Sequence, residues 1–313
     1  MSEVLRHVVE SITPASQAYA QIARGKIAAN PLLERLAGSL AAAQHTPRPR
    51  AARRTIVVVA GDHGCGDPGI ALGEAHPTIV AARAIADGHA ALAQIARTSH
   101  APIVLVDAGA REPAHMPPVA VALGRGPTTD LLAGPAMTVV DATLGLEAGI
   151  ALALSIGEAD VLAVGALGLG SELSALALLA AVRGSVATDD MSDTARAVAV
   201  GRSHAGASGL DLLAYLGGAE TAVLAGLMLG AASTNTPVIL DGEATGAAAL
   251  VAAALAPDVR GYLLAAHRGS GAMPEILAQL ALAPAFEVGL GHGEGTGAAM
   301  LLPLLDQVAA LCG

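Results

Sequence analysis

Thr55-Ile-Val-Val-Val-Ala60, followed at once by Gly61-Asp62-His63-Gly64, decides the fold. The stretch is apolar after its first residue and rich in β-branched side chains, so it reads as a strand buried on both faces rather than on one. Glycine and aspartate then stop it. The same arrangement recurs along the chain: Ile103-Val-Leu-Val106 runs into Asp107-Ala108-Gly109, Val161-Leu-Ala-Val164 into Gly165 to Gly170, Pro237-Val-Ile-Leu240 into Asp241-Gly242, and Gly261-Tyr-Leu-Leu-Ala-Ala266 into His267. Ala-rich stretches of helical character lie between these runs.

Strand, glycine or polar turn, helix, repeated in this way, predicts an α/β fold in which a parallel sheet is flanked by helices in a Rossmann-like three-layer arrangement. In such folds ligands occupy the crevice beyond the carboxyl ends of the strands. Asp62, His63, Asp107, Asp241 and His267 are therefore expected on one rim. Each of the aspartates taken singly also reads as a cap for the turn or helix that follows it.

Composition supports a globular chain: 313 residues, 53% of them apolar, bury a large core. The mean hydropathy of +0.58 raises the question of a membrane protein. Runs such as Ala222 to Ala232 and Ala247 to Ala256 are shorter than the ~20 residues that span a bilayer, so no membrane partner is expected. No basic-then-apolar leader opens the chain, and Cys65 and Cys312 offer no disulfide framework, which points to the cytoplasm. Residues 1 to 54 are basic, with Arg48, Arg50, Arg53 and Arg54 clustered at their end, but the net charge of −10 and the lack of interleaved aromatics argue against nucleic-acid binding. Val4 to Leu40 reads as one or two helices and His45 to Arg54 as a Pro/Arg-rich linker. Residues 1–54 thus read as a separable N-terminal helical segment and linker ahead of an α/β domain at 55–313.

Two glycine-rich stretches suggest chemistry. His292-Gly-Glu294-Gly-Thr-Gly-Ala298 places one carboxylate where backbone amides can crowd a small ligand, although a solvated helix start has the same composition. Gly165-Ala-Leu-Gly168-Leu-Gly170-Ser171 follows a strand and precedes a helix, the position in which amides hold a phosphate or in which glycines merely allow close packing. It is neither a Walker loop nor a dinucleotide fingerprint. With Lys26 the only lysine in the chain, a phosphate would rest mainly on backbone amides. The spacing of His63, His76, His89, His267 and His292 matches no metal-ligand motif, and neither a metal nor a cofactor is expected. Cys65 reads as a small buried thiol.

Seven ordered motifs resemble one family, the nicotinate mononucleotide:dimethylbenzimidazole phosphoribosyltransferases of cobalamin lower-ligand assembly. They are Ala60-Gly-Asp-His-Gly64, Val106-Asp-Ala-Gly109, Gly134-Pro-Ala-Met-Thr138, Gly217-Gly-Ala-Glu-Thr-Ala222, Pro237-Val-Ile-Leu-Asp-Gly242, Ala266-His267 and Gly293-Glu-Gly-Thr-Gly-Ala298. The resemblance implies a small helical domain to which residues 1–54 contribute and which the C-terminal helix joins, a nucleotide and an azole base as ligands, a homodimer, with a heterodimer with a relative as the alternative, and Glu294 as the catalytic base that takes the proton of the attacking azole. On the same ground, Asp62, His63, Glu74, His76, Pro135 and Met137 become substrate-binding candidates. Gly165, Gly168, Gly170, Ser171, Asp241, His267, Gly293 and Gly295 complete the set.

Departures from the family pattern cluster at the same rim. An acidic residue of the phosphate loop is Ala166 here, its hydroxyl-bearing end is Glu172-Leu173, and an arginine two residues before the Gly-Glu-Gly has become Gly291. A tyrosine of the acceptor pocket corresponds to His76. Three readings stay open on the sequence: phosphoribosyl transfer with altered contacts, transfer from a different ribosyl donor, or a non-catalytic binding or regulatory subunit.

Overall fold

The computed structural model describes every residue except 28–29, 66–68, 185–191, 289 and 291–293. Seven strands, β1 (Arg54–Gly61), β2 (Ile103–Gly109), β3 (Val121–Ala122), β4 (Val161–Leu167), β5 (Val238–Leu240), β6 (Leu263–His267) and β7 (Pro284–Phe286), form one sheet in the order β3-β2-β1-β4-β5-β6-β7. All pairings are parallel. The five strands expected from the apolar runs are present; β3 and β7 are short edge strands with no such run to announce them.

Helices cover both faces, and the strands divide between two cores by strict alternation. Val57 and Val59 of β1 join Val106, Leu162, Val164, Val238 and Leu240 in one core, whereas Ile56, Val58 and Ala60 join Leu105, Val161, Ala163 and Ile239 in the other. This is why the runs are continuous rather than alternating: both sides of every pleat are apolar.

On the first face, helices Val139–Ile156 and Ala219–Ser233 lie in backbone contact. A Cβ on Gly149 would collide with the Val223 carbonyl, and one on Gly226 with that of Leu146. Close approach of small-residue helices takes the place of aromatic bulk in a core whose described residues include one aromatic side chain, Tyr262. Val139–Ile156, which the apolar runs quoted above do not include, is long and apolar enough to cross a membrane by length and composition alone, with 39% of it buried here against its neighbours.

The N-terminal segment forms three helices, Glu3–Ser11, Gln17–Arg24 and Pro31–Ala43, capped by the side chains of Ser2, Ser16 and Asn30. The break after Ser11 coincides with Thr13-Pro14, since proline disfavours helix in the residue before it. Leu5 and Val8 pack into the first core, while the other two helices share the second core with helix Thr296–Leu311. Lys26 fastens this arrangement by donating from Nζ to the carbonyls of Pro47 and Cys312.

The strand order reverses between β1 and β4: β2 and β3 continue outward on one side of this pair, and β5 to β7 on the other. That is the topological switch point where a doubly wound sheet opens a crevice. Gly168, just past β4, has φ +154°, and a Cβ there would overlap the Gly61 carbonyl at the end of β1. Glycine is required because the two strand ends meet backbone to backbone.

Candidate active site

A cavity of about 310 Å³ opens at this switch point. Ala166 to Leu169 line it from the end of β4, Ser171 and Glu172 from the start of helix Ser171–Arg183, and Gly242 to Ala244 from the start of helix Glu243–Leu255. Pro77, Thr78, Ala81, Ser270, Leu290 and Glu294 close the remaining sides. Both helices begin on a glycine without a side-chain cap, so their first amides lack an acceptor of that kind where their first residues line the cavity.

Glu294 lies half-buried in this wall, and its position follows from its neighbours. Gly165 has no side chain, and any Cβ there would overlap the Glu294 carbonyl. Gly295 adopts φ +101° to turn the chain into helix Thr296–Leu311. Asp241, fully buried at the end of β5, accepts from the Gly295 amide at 2.8 Å and, through its other oxygen, from the Ala298 amide at 2.9 Å. His267, at the end of β6 and equally buried, meets the same carboxylate through Nε2 at 3.2 Å and the Val288 carbonyl through Nδ1 at 3.2 Å. The hydrogen bond to Asp241 holds the His267 pKa above the ordinary imidazole value, with burial opposing.

Three carboxylates, Glu172, Glu243 and Glu294, line the cavity, and no Lys, Arg or His does so among the described residues. Burial pushes the Glu243 pKa up; the Ala272 amide, donating at 3.1 Å, opposes this, and the field of Glu172 adds to it. Glu243 was missed in the sequence, although it follows Asp241-Gly242 at a strand end, the same signal that singled out Asp241.

Other expected residues are placed differently. Asp62 faces inward from the rim: it is fully buried and accepts from Thr78 Oγ1 at 2.6 Å and the amides of Leu169 at 3.0 Å and Arg111 at 2.7 Å. It ties the ends of β1, β2 and β4 together. His63 is buried against Glu220, Nε2 to Oε1 at 2.9 Å, while its Nδ1 and Glu220 Oε2 have no partner among the described residues. Burial disfavours both charges, but each partner's field prevails, raising the His63 pKa and lowering that of Glu220. Glu220, quoted in a motif but given no role, is thus the acidic partner of His63.

His76 is buried with both ring nitrogens unpartnered among the described residues, Nδ1 being 3.9 Å from Asp62 Oδ2. Glu74 is exposed and pairs with Arg83 at 3.3 Å. Asp107 is turned inward too, accepting from the Ala110 amide at 2.8 Å, and burial raises its pKa. Pro135 and Met137 line a second cavity, about 860 Å³ and mainly apolar, between residues 123–148 and Tyr215. Gly170, at φ +84°, backs onto Cys65 and His63. Gly293 and His292 lie outside the described residues. The described residues hold no cluster of His, Cys, Asp and Glu suited to a metal ion.

With this geometry in view, the comparisons with known proteins are specific. The family described as Phosphoribosyltransferase matches residues 15–313. The nicotinate-nucleotide–dimethylbenzimidazole phosphoribosyltransferase of Roseiflexus sp. (strain RS-1) is 36% identical over 301 residues, covering 89% of this chain and 84% of that protein. The protein of the same name from Azotobacter vinelandii is 38% identical, covering 90% and 85%. Among solved structures, that of CobT from Thermus thermophilus superimposes with a TM-score of 0.82 at 31% identity, covering 94% of this chain and 95% of the other. A parallel sheet with its cavity at the switch point, the Gly165 and Glu294 motifs meeting there, and similarity over almost the whole chain place this protein in the nicotinate-nucleotide–dimethylbenzimidazole phosphoribosyltransferase family.

Proposed function

We propose that the chain transfers a phosphoribosyl group from nicotinate mononucleotide to dimethylbenzimidazole or a related azole, as its relatives are named for doing. An azole nitrogen forms a bond to the ribosyl C1′ while the bond from C1′ to the pyridine nitrogen breaks, and that electron pair leaves with nicotinate. Glu294 accepts the proton that the azole's other nitrogen gives up. A base so placed contributes about 10²- to 10⁴-fold in rate. The observation that carries this reading is the position of Glu294 in the cavity wall, beside two uncapped helix N-termini. The first amides of helix Ser171–Arg183 are suited to the phosphate. Glu294→Gln tests the assignment: transfer should fall by orders of magnitude with donor binding little changed.

A second reading rests on the cavity's charge. Three carboxylates and no cationic side chain in the lining, among the described residues, favour a pyridinium riboside without phosphate over a nucleotide. Calorimetric titration with nicotinate mononucleotide and with nicotinic acid riboside separates the two. Tighter binding of the nucleotide supports the first reading; tighter binding of the riboside supports the second.

The active form is proposed to be a homodimer in the cytoplasm. Val139, Val140 and Leu144 are 45%, 66% and 45% exposed beside the apolar second cavity, a surface suited to a second copy or to a relative. Sedimentation of the purified chain alone and with a relative distinguishes these. The helices of residues 17–43, packed on helix Thr296–Leu311, are proposed as the small domain built from the chain's ends.

A further inference from the structure

We infer that Asp62 is a positioning residue for the donor's phosphate: without meeting the ligand itself, it fixes the turn Gly168-Leu169-Gly170, from which helix Ser171–Arg183 starts. The inference rests on the reading of that helix's first amides as the phosphate site.

Its first support is where the sheet stops. The β1–β4 ladder ends at the pair Ala60 and Leu167, so the turn that follows has no strand pairing to set its path. The residues after β1 take over. The Leu169 amide donates to Asp62 Oδ1 at 3.0 Å, and the Leu169 carbonyl accepts from the His63 amide at 2.9 Å. Both backbone groups of one residue are thereby held by two consecutive residues. On either side the turns touch: a Cβ on Gly168 would overlap the Gly61 carbonyl, and one on Gly170 would lie 2.9 Å from His63 Cβ. Gly61 to His63 therefore act as a template for Gly168 to Gly170. The template is itself anchored, since the Asp62 amide donates to the Gly109 carbonyl at 3.0 Å and the Asp62 carbonyl accepts from the Thr128 amide at 3.1 Å.

The second support is the choice of a carboxylate. Asp62 is fully buried and does not line the cavity. Its Oδ1 accepts from the Thr78 hydroxyl at 2.6 Å as well as from Leu169, and its Oδ2 accepts from the Arg111 amide at 2.7 Å. Three donors satisfy the enclosed charge. Two of them, Leu169 and Thr78, belong to residues that line the cavity from different elements, Thr78 from helix Pro77–Ala86. One buried group thus sets two walls of the site. An asparagine has one oxygen and one N–H₂ end, so in either orientation it sets a donor against the amide of Leu169 or of Arg111.

The third support is the kind of phosphate site this is. Among the described residues the lining holds no cationic side chain, so the direction of the first helix amides decides the affinity for a phosphate. A backbone amide cannot re-aim as a side chain does. Loosening the turn should therefore weaken nucleotide binding and spare the riboside, which lacks the group the turn serves.

The test is calorimetric titration of the full-length chain, Asp62→Ala and Asp62→Asn with nicotinate mononucleotide and with nicotinic acid riboside, beside a circular dichroism melt of each protein. The parent is expected to bind the nucleotide more tightly. Asp62→Ala, in which the His63 amide still holds the Leu169 carbonyl, should lose about tenfold or more in nucleotide affinity, the scale of one charge-assisted hydrogen bond, with riboside affinity within a few-fold of the parent. Removing a negative charge would by itself favour the nucleotide, so a loss reports position and not charge. Asp62→Asn should fall between the two. A role confined to stability would lower the melting temperature and leave the ratio of the two affinities unchanged, and that result overturns the proposal, as does a fall shared equally by both ligands. Should Asp62→Ala fail to fold, Asp62→Asn decides: a several-fold drop in nucleotide preference supports the role, and a parental ratio overturns it. A parent without nucleotide preference would instead overturn the placing of the phosphate, and this inference with it.

Discussion

Gly165 and Glu294 are in backbone contact: the space a Cβ on Gly165 would need is filled by the Glu294 carbonyl and the Gly295 amide. The conformation of Gly165 is an ordinary strand, so glycine is present for space and not for its dihedral freedom. Gly165→Ala should therefore push the carboxylate off its site. We expect about 10²-fold lower kcat with the fold retained, checked by steady-state rates beside a circular dichroism spectrum.

The His63 and Glu220 pair makes a stability prediction with a defined pH window. His63 has a raised pKa, so its contribution is complete below its ordinary value of 6.5 and is lost as pH rises through the folded value. Glu220 has a lowered pKa, so its contribution is complete above the ordinary 4.5 and is lost as pH falls through the folded value. The pair therefore stabilises most between these limits. Glu220→Leu, which strands the buried imidazole, should cost about 3–5 kcal/mol by urea denaturation near pH 6, and less at alkaline pH. An equal loss at both pH values would contradict the ionised pair.

Charge in the cavity is testable without touching Glu294. Glu172→Gln combined with Glu243→Gln removes two of the three carboxylates of the lining. Each unit charge near a protein surface is worth on the order of 1 kcal/mol, so affinity for nicotinate mononucleotide should rise about tenfold or more. Affinity for nicotinic acid riboside should change less. Calorimetry at low ionic strength gives the comparison its greatest range.

Cys65 should be inert. Burial and the nearby carboxylate of Asp130 push its thiol up to about 11, so the nucleophilic thiolate is scarce at neutral pH. Iodoacetamide at pH 7.5 is expected to label it far more slowly than a free thiol, as intact mass spectrometry would show. Rapid labelling would place the thiol in a different environment.

What the sequence revealed follows from which signals are local. Buried central strands such as Thr55 to Ala60 must be apolar on both faces, so five of them were readable, but β3 and β7 need only two or three paired residues and leave no run. Asp62, Asp241 and His267 stood out because each is a polar residue placed where an apolar strand run stops. Their inward direction was not readable, because it depends on donors from distant segments, among them Arg111 and Leu169 for Asp62 and Gly295 and Ala298 for Asp241. Glu220 and Glu243, each in the first turn of an Ala-rich helix, looked like ordinary N-terminal acids until the fold supplied His63 and the cavity.

Lys26 is the chain's single lysine, and its ammonium is held by the carbonyl of Cys312, one residue past the helix whose other end begins beside Glu294. Amine-directed reagents therefore find one side-chain target, an exposed residue whose reactivity is lowered while its ammonium donates to the Cys312 carbonyl. The rate of acylation at Lys26, followed with and without ligand, turns the whole helix into a lever read from its far end.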